Sequence, residues 1–117
     1  MARSVAQLER RIARIKQQLG ELGELRPGSL SMQRGVCGAS GCRCKTDPGQ
    51  RHPYAQLSFT RKGRSSSRFV RKADVPRVKR QIQTYAKLRR LVDEWIELST
   101  ELCIRRIEES RRAAAEP

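Results

Sequence analysis

With 117 residues, 37% of them hydrophobic and only 4% aromatic, the chain allows a single domain (1–117) and excludes a conventional globular core. No run approaches the ~18 apolar residues of a membrane span and no apolar leader opens the sequence, so no membrane association is expected and the cytoplasm is the expected compartment. The net charge of +14 is uneven: residues 31–72 carry ten basic side chains against the single Asp47, whereas residues 1–30 and 73–117 stand at only +3 and +2.

Val5, Leu8, Ile12, Ile15, Leu19 and Leu22 recur at alternating spacings of three and four, an a/d seam over nearly three heptads. The spacing predicts a helix over residues 4–25, with Ser4 as N-cap and Pro27 and Gly28 as the stop, a rod of about 33 Å. A seam this narrow needs a partner helix.

Residues 28–53 hold the unusual chemistry. Cys37-Gly38-Ala39-Ser40-Gly41-Cys42-Arg43-Cys44 is followed by His52, so three thiols and one imidazole fall within sixteen residues. That is the ligand count of a closed tetrahedral zinc site, whose donors must converge to about 2.0–2.3 Å from the ion. Cys42 and Cys44 flank one residue, so a turn can bring both thiolates to one ion, and Gly38 and Gly41 let the backbone wrap closely. Cys37 then supplies a third ligand and His52 a fourth. Clustered thiols in a cytosolic chain point to metal before disulfide. The expectation is a structural Zn2+ on Cys37, Cys42, Cys44 and His52, with apparent binding energies of about 10–16 kcal/mol in comparable peptides ample to order so small a loop.

Three alternatives stand beside it. Cys103 could replace His52, giving a four-thiolate site for zinc or an iron–sulfur cluster, although a small apolar role in helix packing is its commoner use. The cysteines could also be unligated, with His52 an ordinary turn residue. A redox pair lacks the thioredoxin-like C-x-x-C spacing. Catalysis has little to work with: the one histidine is already a ligand, and Asp47 is the only carboxylate nearby. No nucleophile–base pair or two-metal set is visible, so no enzyme activity and no catalytic residue is expected.

Residues 54–71 read as a two-stranded ribbon. Tyr54-Ala55-Gln56-Leu57-Ser58-Phe59-Thr60 alternates at period 2, and Lys62-Gly63 can form a two-residue turn. Ala55, Leu57 and Phe59 then face Val70, Arg68 and Ser66. Such a ribbon is marginal alone and needs support from the metal site or a helix end.

A second helix is predicted over 74–112, with Asp74 as N-cap and Pro76 in its first turn, about 57 Å long. Val78, Ile82, Tyr85, Leu88, Leu91, Val92, Trp95, Leu98, Leu102 and Ile107 form its stripe, and residues 113–117 are a frayed end. The first helix can cover only part of this length. The stretch from Leu91 to Leu102 is therefore expected to be buried against a second copy, in a four-helix arrangement. The predicted fold class is mainly α with a small β-hairpin: two long helices in an antiparallel coiled-coil hairpin, joined by a Cys3His knuckle and the ribbon.

Gly28-Ser29-Leu30, the Cys37-Gly38-x3-Cys42-Arg43-Cys44 core, His52-Pro53-Tyr54 and the hairpin with a basic glycine turn resemble a family of short bacterial proteins classed as a domain of unknown function. The resemblance covers about residues 5–100. Family members usually read His-Gly-Pro-Tyr, whereas here His52 meets Pro53 directly. The resemblance implies this architecture and a context around mobile elements, with no established biochemical activity.

These features lead to a non-enzymatic, zinc-stabilised, dimeric nucleic-acid-binding protein, DNA favoured over RNA, nucleoid-associated if it binds DNA. Arg61, Lys62, Arg64, Arg68, Arg71 and Lys72 are the expected phosphate contacts, extended by Arg34, Arg43, Lys45 and Arg51. A ribbon can enter the major groove, with Arg64 or Arg68 reaching guanine edges. Ser65, Ser66 and Ser67 would allow close backbone approach. Tyr54, Phe59 and Phe69 are the only aromatics nearby, with burial expected for both phenylalanines, which argues against a single-strand platform. The rival expectation is a coiled-coil adaptor whose basic head binds an acidic protein partner.

Overall fold

The structure, a computed structural model, describes residues 3–115. Its elements are α1 (Val5–Gly20), β1 (Ser29–Gly35), β2 (His52–Arg61), β3 (Arg64–Val70) and α2 (Val75–Ala115), with short 3-10 turns at Arg43–Lys45, Pro48–Gln50 and Lys72–Asp74. The fold is mainly helical, with one three-stranded antiparallel sheet in the order β1-β2-β3. The described residues group into two compact units, one from the α1 segment up to Gly23 together with Ala86 onward, the other Glu24–Tyr85. α2 runs through both.

In the first unit, Ser4 caps α1 as its sequence position predicts. Its hydroxyl accepts from the Gln7 N–H at 3.2 Å while its own N–H donates to Gln7 Oε1 at 2.9 Å, a reciprocal capping box. Leu8, Ile12 and Ile15 of the seam are buried against Leu91 and Leu98 of α2, with Leu19, Leu22, Trp95 and Leu102 at the margin. Ion pairs flank the seam: Arg3–Glu101 at 2.9 Å, Arg11–Glu94 at 2.7 Å and Glu9–Arg106 at 2.6 Å. Exposed pairs of this kind contribute only about 0–1 kcal/mol each, so the apolar seam dominates.

Three expectations change here. The sequence predicts two long helices, but only α2 is long: α1 stops at Gly20. Gly20 and Gly23 each cost about 1 kcal/mol in a helix, and Leu22 reaches the apolar cluster without helical geometry. The stripe from Leu91 to Leu102, expected to meet a second copy, is covered by α1 of the same chain. The apolar surface left open lies on the other side of α2, where Ile96 is 59% exposed and Ile104 and Ile107 are also exposed. At its far end α2 continues through the three alanines to Ala115, beyond the predicted Arg112, since alanine is the best helix former. Glu116 and Pro117, part of the predicted frayed end, lie outside the described residues.

In the second unit, Lys62 and Gly63 both have positive φ, 51° and 76°. That is the backbone of a type I′ turn, which matches the twist of the strands it joins. It fixes the register at Ala55↔Val70, Leu57↔Arg68 and Phe59↔Ser66, as the sequence predicts. Ala55, Leu57 and Val70 are buried, packed against Val75, Val78 and Ile82 of α2 and against Leu30 and Phe59. The predicted two-stranded ribbon is corrected to a three-stranded sheet: β1 pairs along β2 from Ser29↔Ser58 to Gly35↔His52. The ribbon's support is therefore a third strand and a helix.

The segment entering the sheet is pinned to α2. Glu24 accepts from Arg77 through both Nε and a terminal nitrogen, at 3.3 and 3.0 Å, and from Gln81 at 2.8 Å. These hydrogen bonds, Arg77 first and then Gln81, hold the Glu24 carboxyl below the ordinary carboxylate range. Arg26 follows, its N–H donating to the Gln81 carbonyl at 3.2 Å and its guanidinium 4.5 Å from the Phe59 ring centre.

Candidate metal centre

Gly35 ends β1 opposite His52, the first residue of β2. Cys37, two residues beyond β1, and His52 are therefore brought to the same end of the sheet by backbone pairing. The loop between them returns through the two 3-10 turns. Cys42 precedes the first turn and Cys44 lies within it, while Asp47 caps the second by accepting the Gly49 N–H at 3.0 Å. Gly41, at φ 76°, takes the left-handed conformation that lets the chain double back between Cys37 and Cys42.

The ligand atoms of Cys37, Cys42, Cys44 and His52 all lie within 4.8 Å of one another. Cys37 and Cys44 sulfurs are 3.4 Å apart, and Cys42 Sγ is 3.4 Å from His52 Nε2. Donors about 2.3 Å from a tetrahedral ion stand roughly 3.7 Å apart, so the four are already close to the spacing a small cation requires. Soft thiolates with one imidazole are the donor set for such an ion, and the group could hold one.

Electrostatics within the cluster favour a cation. Hydrogen bonding from the Cys44 backbone, then from His52 and from the Cys44 and Cys37 thiols, draws the Cys42 thiol down to about 6. Cys44 moves the other way. The Cys37 N–H, at 3.3 Å, favours its thiolate, but burial together with the neighbouring Cys42 and Cys37 sulfurs outweighs that and pushes it up. The Cys42 thiolate forms readily, and Cys44 then resists ionising beside it. A divalent cation at the centre removes that conflict.

Cys44 is 1% exposed, yet it is the only buried residue between Val36 and Arg51. The loop has no hydrophobic core of its own. Cys103 is exposed on α2 and outside this group, which corrects both the four-thiolate alternative and its expected role in helix packing.

All ten predicted phosphate contacts are exposed: Arg34 on β1, Arg43 and Lys45 in the first 3-10 turn, Arg51 before β2, Arg61, Lys62, Arg64 and Arg68 around the hairpin, and Arg71 and Lys72 beyond it. They do not share one face. The register sets Arg34, Arg61, Arg64 and Arg68 on the side of the sheet that carries Leu57 and faces α2. Ser66 shares that side, whereas Ser65 and Ser67 lie on the other. Among the described residues, only Arg71 of the ten has an ion-pair partner, Asp74 at 3.4 Å.

The sequence reading missed the aromatic surface. Phe59 is half-buried, but Phe69 is 62% exposed and lies 6.0 Å, centre to centre, from Tyr54 on the side away from α2. Strand alternation carried the signal, because the positions alternating with Leu57 and Val70 are uncharged throughout. Among the described residues, no helix is long and apolar enough to cross a membrane.

Fold and site together define a small, mainly helical protein whose three-stranded sheet ends in a Cys3His group able to hold a metal ion. The chain belongs to the family described as Domain of unknown function (DUF6788), whose model matches residues 5–80. The match spans α1, the Cys/His loop, the whole sheet and the start of α2. No curated protein and no solved structure matches the chain.

Proposed function

We propose that the protein is a non-enzymatic nucleic-acid-binding factor, with DNA favoured, whose basic head is ordered by a structural zinc ion on Cys37, Cys42, Cys44 and His52. A closed set of four protein donors leaves no open coordination position, which suits a structural ion and not a catalytic one. When bound, the ion would cross-link the loop to the sheet end and fix where Arg43 and Lys45 stand.

The distribution of net charge carries this reading. Residues 1–30 and 73–117 stand at only +3 and +2, because acids accompany their cations. Between residues 31 and 72, ten cations meet one acid in the sequence, and only Arg71 is paired among the described residues. An excess of nine positive charges concentrated in this segment supports a polyanionic partner. A second copy is part of the proposal, docked on the open side of α2 along Ile96, Ile104 and Ile107 as an α-helical pairing.

Duplex binding tests the reading. Each phosphate neutralised steepens the fall of log affinity with log salt by about 0.9. A Lys62→Ala/Arg64→Ala double variant is expected to flatten that slope by about 1.8. An unchanged slope discredits the hairpin as a contact. Retention on heparin without any shift of duplex DNA at physiological salt points to generic charge and an acidic protein partner instead.

A further inference from the structure

Alternation along the three strands gives the sheet two unlike sides. The side facing α2 holds the apolar core and its flanking arginines. Within this unit the described helical residues pack on that first side, and none of the other side's positions is Lys, Arg, Asp or Glu: serines, threonine and glutamines surround His52, Tyr54 and Phe69. In a chain that is 32% charged, an uncharged sheet face bearing two aromatic rings needs its own explanation.

The rings form an ordered platform. Tyr54 on β2 and Phe69 on β3 are diagonal neighbours at 6.0 Å with planes tilted by 41°. On the third strand, Gly35 makes room for them, since a Cβ there would stand 2.9 Å from Tyr54 Cε1. Gln33 and Gln56 present amides on the same side, Gln33 lying across from Tyr54 and Gln56 across from Phe69. Arg71 follows β3 at the Tyr54 end.

We infer that this open sheet face binds single-stranded nucleic acid, its bases stacking on Phe69 and Tyr54. The inference rests on the nucleic-acid reading above and names the form of nucleic acid this face takes. Aromatic rings offer stacking to any base, amides and hydroxyls match base edges, and an acid-free face with Lys62 at its hairpin end and Arg71 at its other end leaves the phosphates unopposed. Duplex DNA cannot use the platform because its bases are stacked on one another.

Fluorescence anisotropy of the full chain with a labelled mixed-sequence 20-nucleotide single strand, and with the matching duplex, tests this. Wild type is expected to bind the single strand at least as tightly as the duplex, despite the lower charge density of a single strand. Phe69→Ala is expected to weaken single-strand binding by on the order of tenfold, with Tyr54→Ala similar, while duplex affinity changes less than about twofold. Phe69→Trp is expected to restore binding, and because Phe69 is exposed its melting temperature should stay near wild type. If Phe69→Ala leaves single-strand affinity intact while the Lys62/Arg64 double variant weakens it, stacking is refuted and the nucleic-acid reading survives. If neither nucleic acid binds at physiological salt, both are refuted. A change in oligomeric mass on Phe69→Ala, with single-strand affinity unchanged, would instead make the face a protein contact and overturn the inference.

Discussion

Removing the metal should melt the Cys/His loop and spare both cores. Residues 36–51 number sixteen, and ordering their backbone costs about 16 kcal/mol at about 1 kcal/mol each. Against this the loop has backbone hydrogen bonds from the N–H groups of Lys45, Thr46, Asp47, Gln50 and Arg51, all closed within the local turns. At about 1 kcal/mol apiece they return about 5, and burying Cys44 adds about 1–2. The remaining deficit of about 9–10 kcal/mol is close to what a structural zinc contributes, about 10–16. Hydrogen exchange followed by mass spectrometry, with and without excess chelator, reads this directly. After chelation, the amides of residues 43–51 should exchange at open-chain rates. Those of α1 and of Ala55 and Leu57 should keep most of their protection, because their cores do not include the loop. Loop amides that stay protected in metal-free protein would refute this accounting.

The open stripe on α2 gives a second prediction: an Ile96→Glu/Ile104→Glu variant should shift the mass in solution from dimer to monomer by light scattering, with helix content retained. A third concerns pH. The Glu24 carboxyl is lowered in the folded state by Arg77 and Gln81, so its stabilisation is complete above the ordinary carboxylate range and lost as pH falls through the folded value. Acid titration should therefore show wild type losing more stability below about pH 4.5 than Glu24→Gln does. The fourth is a gain: Lys62 sits at φ 51° beside Gly63, and Lys62→Asn, which tolerates that conformation, should raise thermal stability by up to about 1 kcal/mol.

Features governed by local rules were legible in the sequence. Ser4 with Gln7 declares the start of α1, Lys62-Gly63 sets the hairpin register, and the cysteine spacing with His52 assembles the cluster. Features decided by tertiary competition were not. β1 carries Leu30 and Met32 at period 2, but beside Cys37 and four glycines between 28 and 41 it reads as part of the loop, and only pairing with β2 makes it a strand. The a/d seam runs on to Leu22, while Gly20 ends the helix there and leaves Leu22 to pack from a non-helical segment. Which apolar stripe of α2 remains open depends on where α1 docks, and α1 covers Leu91, Trp95, Leu98 and Leu102. Hydropathy alone suggests a core role for Phe69, but the predicted register already sets Val70 beside Ala55 and Leu57, and Phe69 is exposed on the other side.

Elemental analysis of the purified protein is the most direct test of the central claim, that one divalent ion organises the basic head. The account predicts close to one zinc per chain, and its loss in Cys42→Ser with the helices still folded. A wild-type chain that carries no metal, yet keeps its loop ordered with the same cysteines free, would contradict it.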